Sequence, residues 1–191
     1  MIHQNSSKII RVVVFGPEST GKTTLCKDLS ALYKTQWVPE FARSYLQNKW
    51  DQKKEVCAKE DLPHIVKGQM DLENQMITKA HKVLFCDTNI LVTQIWSETH
   101  FDGYCDPVIH QAVKQVHYDL YLLTGIDIPW EKDDLRDRPN DRKNMFSFFE
   151  NKLITRKLAY KHIRGSRVNR IKSAKKAIDS IFLFNVDSER I

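Results

Sequence analysis

The residues Gly16-Pro17-Glu18-Ser19-Thr20-Gly21-Lys22-Thr23 follow the pattern G-x-x-x-x-G-K-[ST]. Glycine at Gly16 and Gly21 admits the dihedrals that let backbone N–H groups wrap a phosphate. Lys22 supplies a compact positive charge for the β- and γ-phosphates of ATP, and Thr23 offers a hydroxyl to Mg²⁺. Glu18, Ser19, Thr20 and Thr24 complete the expected nucleotide-binding set. An ordinary glycine turn would not need the lysine and the hydroxyl, nor a buried strand before it and a helix after it. The chemistry these types support is nucleotide binding and phosphoryl transfer.

A transfer reaction needs more groups, and the sequence offers them. Asp87 ends the apolar run Val83-Leu84-Phe85-Cys86. A carboxylate at a strand end beside a phosphate loop can hold Mg²⁺; the plainer reading is a turn cap. Glu40 and Arg43 follow Pro39 and share one helix face. Glu40 could accept a hydrogen bond from an attacking hydroxyl, and Arg43 could bind substrate oxygens. Spacing leaves open whether Glu40 or Asp87 is the base. Arg136, Arg138 and Arg142 fall in a polar stretch rich in Asp, Arg and Pro. A closing lid there would exclude water and bring an arginine to the transferred charge. Arg138 and Arg142 are the first choices, against the plainer reading of a solvated charged loop. Trp96 and Trp130 offer flat faces for a ligand, whereas Trp37 and Trp50 read as structural.

These groups need a scaffold. Residues 8–15 are a β-branched apolar run, as in a strand buried on both faces. Further strands are predicted over 36–38, 82–86, 119–123 and 158–164. Helices are predicted over 22–33, from Glu40, over 61–81 with Asp61 as cap, over 107–117 with Asp106 as cap, over 142–157 and over 168–182. No element is predicted over 88–106, so Trp96 falls on a connection. The alternation predicts an α/β fold: three α/β/α layers around a five-stranded parallel sheet, with an arginine-bearing lid. Ligands of such sheets bind at the carboxyl ends of the strands, where the chemical residues cluster.

The chain has 191 residues, which fits one domain over 1–191 with the lid at about 124–145. Thirty Lys+Arg against 24 Asp+Glu leave a net charge of +6, suited to an anionic ligand. No apolar run is long enough to span a membrane, and the first eight residues contain no secretory signal. Cys26, Cys57, Cys86 and Cys105 form no C-x-x-C pair and read as reduced thiols of a cytoplasmic protein. The histidines show no metal spacing. The basic stretch 157–176 reads as a solvated face, and a nucleic-acid partner is not expected.

The segments GPESTGKTTL, VPEFARSYL, FCDTNILVTQIW and YDLYLLTGIDIPWEKDDLRD with RPNDR resemble the NadR-type ribosylnicotinamide kinase family of P-loop proteins. The resemblance covers nearly the whole chain. It implies ATP- and Mg²⁺-dependent phosphorylation of the 5′-hydroxyl of nicotinamide riboside, giving nicotinamide mononucleotide. It also implies that Gly165 and Ser166, before the last helix, lie beside the adenine. Other acceptors, a nucleoside or a small metabolite, need the same phosphate chemistry, and a regulatory nucleotide-binding ATPase would share the loop. The family's kinase domain is often fused to an adenylyltransferase domain or a DNA-binding segment. This chain resembles the kinase domain alone, so neither of those activities is expected.

Overall fold

Strand β1 (Ile10–Phe15) is buried along its whole length, as a run of β-branched residues covered on both faces must be. In the computed structural model, which describes residues 2–188, it is the middle strand of a five-stranded parallel sheet. The order is β2 (Trp37–Val38), β3 (Val83–Asp87), β1, β4 (Leu120–Thr124), β5 (Tyr160–Ile163). β1 pairs with β3 on one side and β4 on the other, with Val14 opposite Asp87 and Phe15 opposite Leu123. The loop leaving β1 therefore opens between the ends of β3 and β4.

Alternate residues of the strands enter two separate cores. Val13, Phe15, Leu84, Cys86, Tyr121 and Leu123 face α3 (Asp61–Ile77), α4 (Ile90–His100), α5 (Pro107–Gln115) and α6 (Arg142–Thr155). Val12, Val14, Phe85 and Leu122 face α1 (Lys22–Tyr33) and α7 (Arg167–Ser188). Helix α2 (Phe41–Lys53) lies outside these cores with no fully buried residue. The three layers and the five parallel strands are those predicted.

Several boundaries differ from the prediction. α4 occupies 90–100, where none was expected, so Trp96 lies on a helix. Ile90, Leu91, Val92, Thr93, Gln94 and Ile95 are all buried, so this helix has no polar stripe to betray its period. α3 ends at Ile77 rather than near His81. Asp61 is its first residue and accepts the Ala58 N–H, the Tyr45 hydroxyl and Lys49. Asp106 caps α5 as expected, accepting the Val108 N–H. Met1 and residues 189–191 of the predicted domain lie outside the described residues. No helix among the described residues is long and apolar enough to cross a membrane.

One buried carboxyl lies away from the strand ends. Glu73 on α3 accepts hydrogen bonds from the Tyr118 hydroxyl, 2.9 Å to each oxygen. Burial outweighs that bond and the nearby Arg11, and pushes its pKa up to about 7. The folded state thus holds a proton that the unfolded chain releases. The stability this supplies is present at low pH and is lost as pH rises through about 7. Glu73→Gln cannot ionise, so its Tm relative to wild type should rise from about pH 5 to about pH 8. An unchanged difference between the two pH values would contradict this.

Candidate functional site

Gly16 leaves β1 at φ +140, and a Cβ there would stand 2.7 Å from the Thr124 hydroxyl. Glycine is required by both backbone and space. The Thr124 hydroxyl, from β4, lies within hydrogen-bond distance of the Phe15 carbonyl and 2.7 Å from the Thr20 hydroxyl. Thr20 also reaches the Pro17 carbonyl at 2.8 Å. Ser19 at φ 51 and Gly21 at φ 76 take left-handed conformations, and such a loop forms an anion-binding concavity. No side chain caps the start of α1, which leaves its first N–H groups for a ligand. Thr24 is exposed on that first turn.

The neighbouring strand ends add charge. The Thr23 hydroxyl donates to Asp87 Oδ2 at 2.5 Å. The other oxygen of Asp87 is buried with no hydrogen-bond partner. A hydroxyl beside a carboxylate with a free oxygen suits Mg²⁺, whose remaining positions would go to phosphate and water. Lys22 Nζ donates to the Pro17 carbonyl at 2.6 Å. Burial pulls its pKa down, while Glu40, Asp87 and Glu18 pull the other way. Burial pushes Glu40 and Asp87 up, and Lys22 restrains both. Glu40 stands at the start of α2, and its carboxylate has no hydrogen-bond partner among the described residues.

The arginine segment lies across this loop, held by the loop itself. Glu18 Oε1 accepts from Trp130 Nε1 at 2.9 Å and from the Arg138 N–H at 3.1 Å. The Ser19 hydroxyl accepts the Glu131 N–H. Asp133 joins the segment to α2 through Arg43 at 2.8 Å and also pairs with Arg136 at 3.1 Å. The arginines divide differently from their sequence ranking. Arg138 turns to the Thr99 carbonyl, Asp141 and His100. His100 in turn stacks on Trp96 with ring centroids 3.8 Å apart. Arg142 is taken up by the Ser19 and Ile128 carbonyls. Arg136 is the arginine whose charge acts on both Lys22 and Glu40.

Lys22, Thr23, Glu40 and Asp87 thus come together, with Arg43 and Arg136 beside them. Trp130 reaches the loop through Glu18. Trp96 lines a small cavity with Pro17 and Glu18 of the loop, Arg138, Arg142, Met145 and Phe149. Gly165 and Ser166 lie exposed just before α7, with Gly165 donating its N–H to Asp127. Sequence reasoning missed three groups: Thr124, Asp133 and Arg170. Asp133 lies inside the DIPW-x4-LRD segment and could have been singled out with it. Nothing in the sequence separates Arg170 from its basic neighbours.

A family model described as an AAA domain matches residues 11–170. Two curated relatives, each a trifunctional NAD biosynthesis/regulator protein NadR, match most of the chain. The one from Salmonella typhimurium is 25% identical over 80% of this chain and 38% of its own length. The one from Escherichia coli is 28% identical over 75% of this chain and 34% of its own. The chain therefore spans little more than a third of these relatives. Among solved structures, NadR with NAD and AMP-PNP superposes with a TM-score of 0.73 at 19% identity, covering 91% of this chain and 49% of that one. NadR with NR gives 0.67 at 19% identity, over 84% and 45%. Deoxyadenosine kinase from M. mycoides gives 0.65 at 10% identity, over 90% of this chain and all of that one.

Proposed function

This chain belongs to the AAA domain family, and from that premise we propose that it is an ATP-dependent kinase whose acceptor is the 5′-hydroxyl of nicotinamide riboside. The observation that carries the transfer reading is the placement of Glu40. It is a carboxylate without a hydrogen-bond partner among the described residues, beside Lys22 at the mouth of a phosphate loop. The choice of acceptor draws on the NadR relatives and on the NadR structure with NR bound.

In this reading the loop N–H groups and Lys22 bind the triphosphate. Thr23 and Asp87 would hold Mg²⁺, which when bound screens the phosphate charge. Glu40 accepts the hydrogen bond of the attacking hydroxyl and orients its oxygen on the γ-phosphate. Arg43 and Arg136, both paired with Asp133, are the arginines assigned to acceptor oxygens or the migrating phosphoryl group. The segment 124–145 acts as the lid that excludes water. Trp130 and Trp96 contribute flat walls, and Gly165-Ser166 the adenine side.

The test is ADP production from ATP–Mg²⁺ with and without nicotinamide riboside, beside a panel of ribonucleosides, with Lys22→Ala excluding contaminating kinases. Stimulation by nicotinamide riboside alone is expected. Stimulation by another nucleoside would keep the chemistry and replace the acceptor. Nucleotide binding without stimulation by any acceptor would favour a regulatory ATPase.

A further inference from the structure

Arg170 belongs to the basic stretch read as a solvated face, yet it is only 5% exposed. Its guanidinium meets four acceptors from three parts of the chain. Nη1 donates to the Thr20 carbonyl of the phosphate loop at 2.7 Å. Nη2 donates to Asp127 Oδ1 at 2.7 Å and to the Gly125 carbonyl, past the end of β4, at 3.2 Å. Nε donates to the Gly165 carbonyl, before α7, at 3.0 Å. Arg142 makes the same kind of contact one peptide earlier. Its Nη2 donates to the Ser19 carbonyl at 3.0 Å and its Nη1 to the Ile128 carbonyl at 2.9 Å.

Two successive loop carbonyls are thus held from outside by two arginines. A trans peptide is planar, with its C=O and N–H pointing in opposite directions, and no cis bond occurs among the described residues. Fixing the Ser19 and Thr20 carbonyls therefore aims the N–H groups of Thr20 and Gly21 the other way. Ser19 and Gly21 are both left-handed, the kind of backbone whose successive N–H groups line an anion-binding concavity. Neither guanidinium needs to touch the ligand to do this.

We infer that Arg170 and Arg142 are positioning residues for a nucleoside di- or triphosphate. They hold the phosphate loop in its anion-binding form, and they link that form to docking of the 124–145 segment, which carries Asp127 and Arg142. This rests on the nucleotide-binding part of the reading above and is independent of the acceptor. Binding would be strongest when the segment is docked, because only then is the Ser19 peptide fixed.

The test is calorimetric titration of the full chain with ADP and with ATP, with Mg²⁺ present and no acceptor. Arg170→Lys cannot reach four acceptors at once and should bind ADP about tenfold more weakly than wild type. Arg142→Ala should weaken ADP by a similar factor. The pair Arg170→Lys with Asp127→Asn should lose less than the two single losses combined, since both break one cluster. In turnover, KM for ATP should rise while KM for the acceptor stays. A merely structural role would lower Tm and leave the Kd of the folded protein unmoved. Should Arg170→Ala fail to fold, Arg170→Lys and Arg142→Ala carry the test. Folded Arg170→Lys and Arg142→Ala that bind ADP as tightly as wild type would overturn the inference. Wild type that binds nucleotide but phosphorylates no acceptor would overturn the kinase reading and leave this inference standing. Wild type that binds neither ADP nor ATP would overturn both.

Discussion

Glu40→Gln is expected to slow phosphoryl transfer by about a hundredfold to ten-thousandfold, with little change in the affinity for ATP. The two carboxylates at the site have different partners. Asp87 is engaged by the Thr23 hydroxyl, the pairing suited to a metal ion. Glu40, at the start of α2, makes no capping hydrogen bond and feels the charge of Lys22, so it can accept a hydrogen bond from a substrate hydroxyl. Glutamine keeps the shape and removes the negative charge. The complementary change, Asp87→Asn, should mainly weaken Mg²⁺-dependent nucleotide binding and raise KM for ATP. A pH profile separates the roles further. Burial raises the pKa of Glu40, so its active, charged form is lost as pH falls through a value above the ordinary glutamate range. The acid limb of kcat/KM, which reports the free enzyme, should therefore lie above that range in wild type and change in Glu40→Gln. Near-normal turnover by Glu40→Gln, with Asp87→Asn inactive yet binding ATP, would exchange the two assignments.

Legibility in the sequence followed how local each determinant is. The phosphate loop is a contiguous string whose backbone demands are written in glycines; α1 after it kept its expected bounds, and β1 before it starts two residues later than expected. Asp87 could be placed because a strand end is a local event. α4 was missed because burial on nearly every side erased the amphipathic signal, although the same burial is what wedges it against the sheet. The arginines were hardest. Three of them within seven residues look alike in sequence, and only tertiary partners separate them. Thr99 and His100 draw Arg138 aside, Ser19 takes Arg142, and Asp133 keeps Arg136 beside Arg43. Arg170 shows the same limit more sharply. A helix full of lysines and arginines hides the one whose acceptors all come from distant loops.

Lys22→Met should remove a transition-state contact and a ground-state one together. A fixed donor aimed at charge that develops in the transition state is worth about a hundredfold to a thousandfold in turnover. Lys22 also contributes to ground-state phosphate binding, so kcat/KM for ATP should fall further than kcat. The same substitution changes the electrostatics of the empty protein. Lys22 restrains the pKa values of both Glu40 and Asp87, which burial pushes up. Without the ammonium both buried carboxyls lose the charge that restrains them, and both pKa values climb. A folded-state pKa above the unfolded one means that stability is lost as pH rises through it. The Tm deficit of Lys22→Met against wild type should therefore widen from about pH 5 to about pH 8. Lys22→Arg keeps the charge and should narrow that deficit. It should not restore turnover, because a planar guanidinium does not fit a loop shaped for a compact ammonium. Thermal melts at two pH values, run beside ADP production for both variants, read the structural and the chemical role of one residue separately. Turnover of Lys22→Met within about tenfold of wild type would remove Lys22 from the transferred phosphate, whatever the melts show.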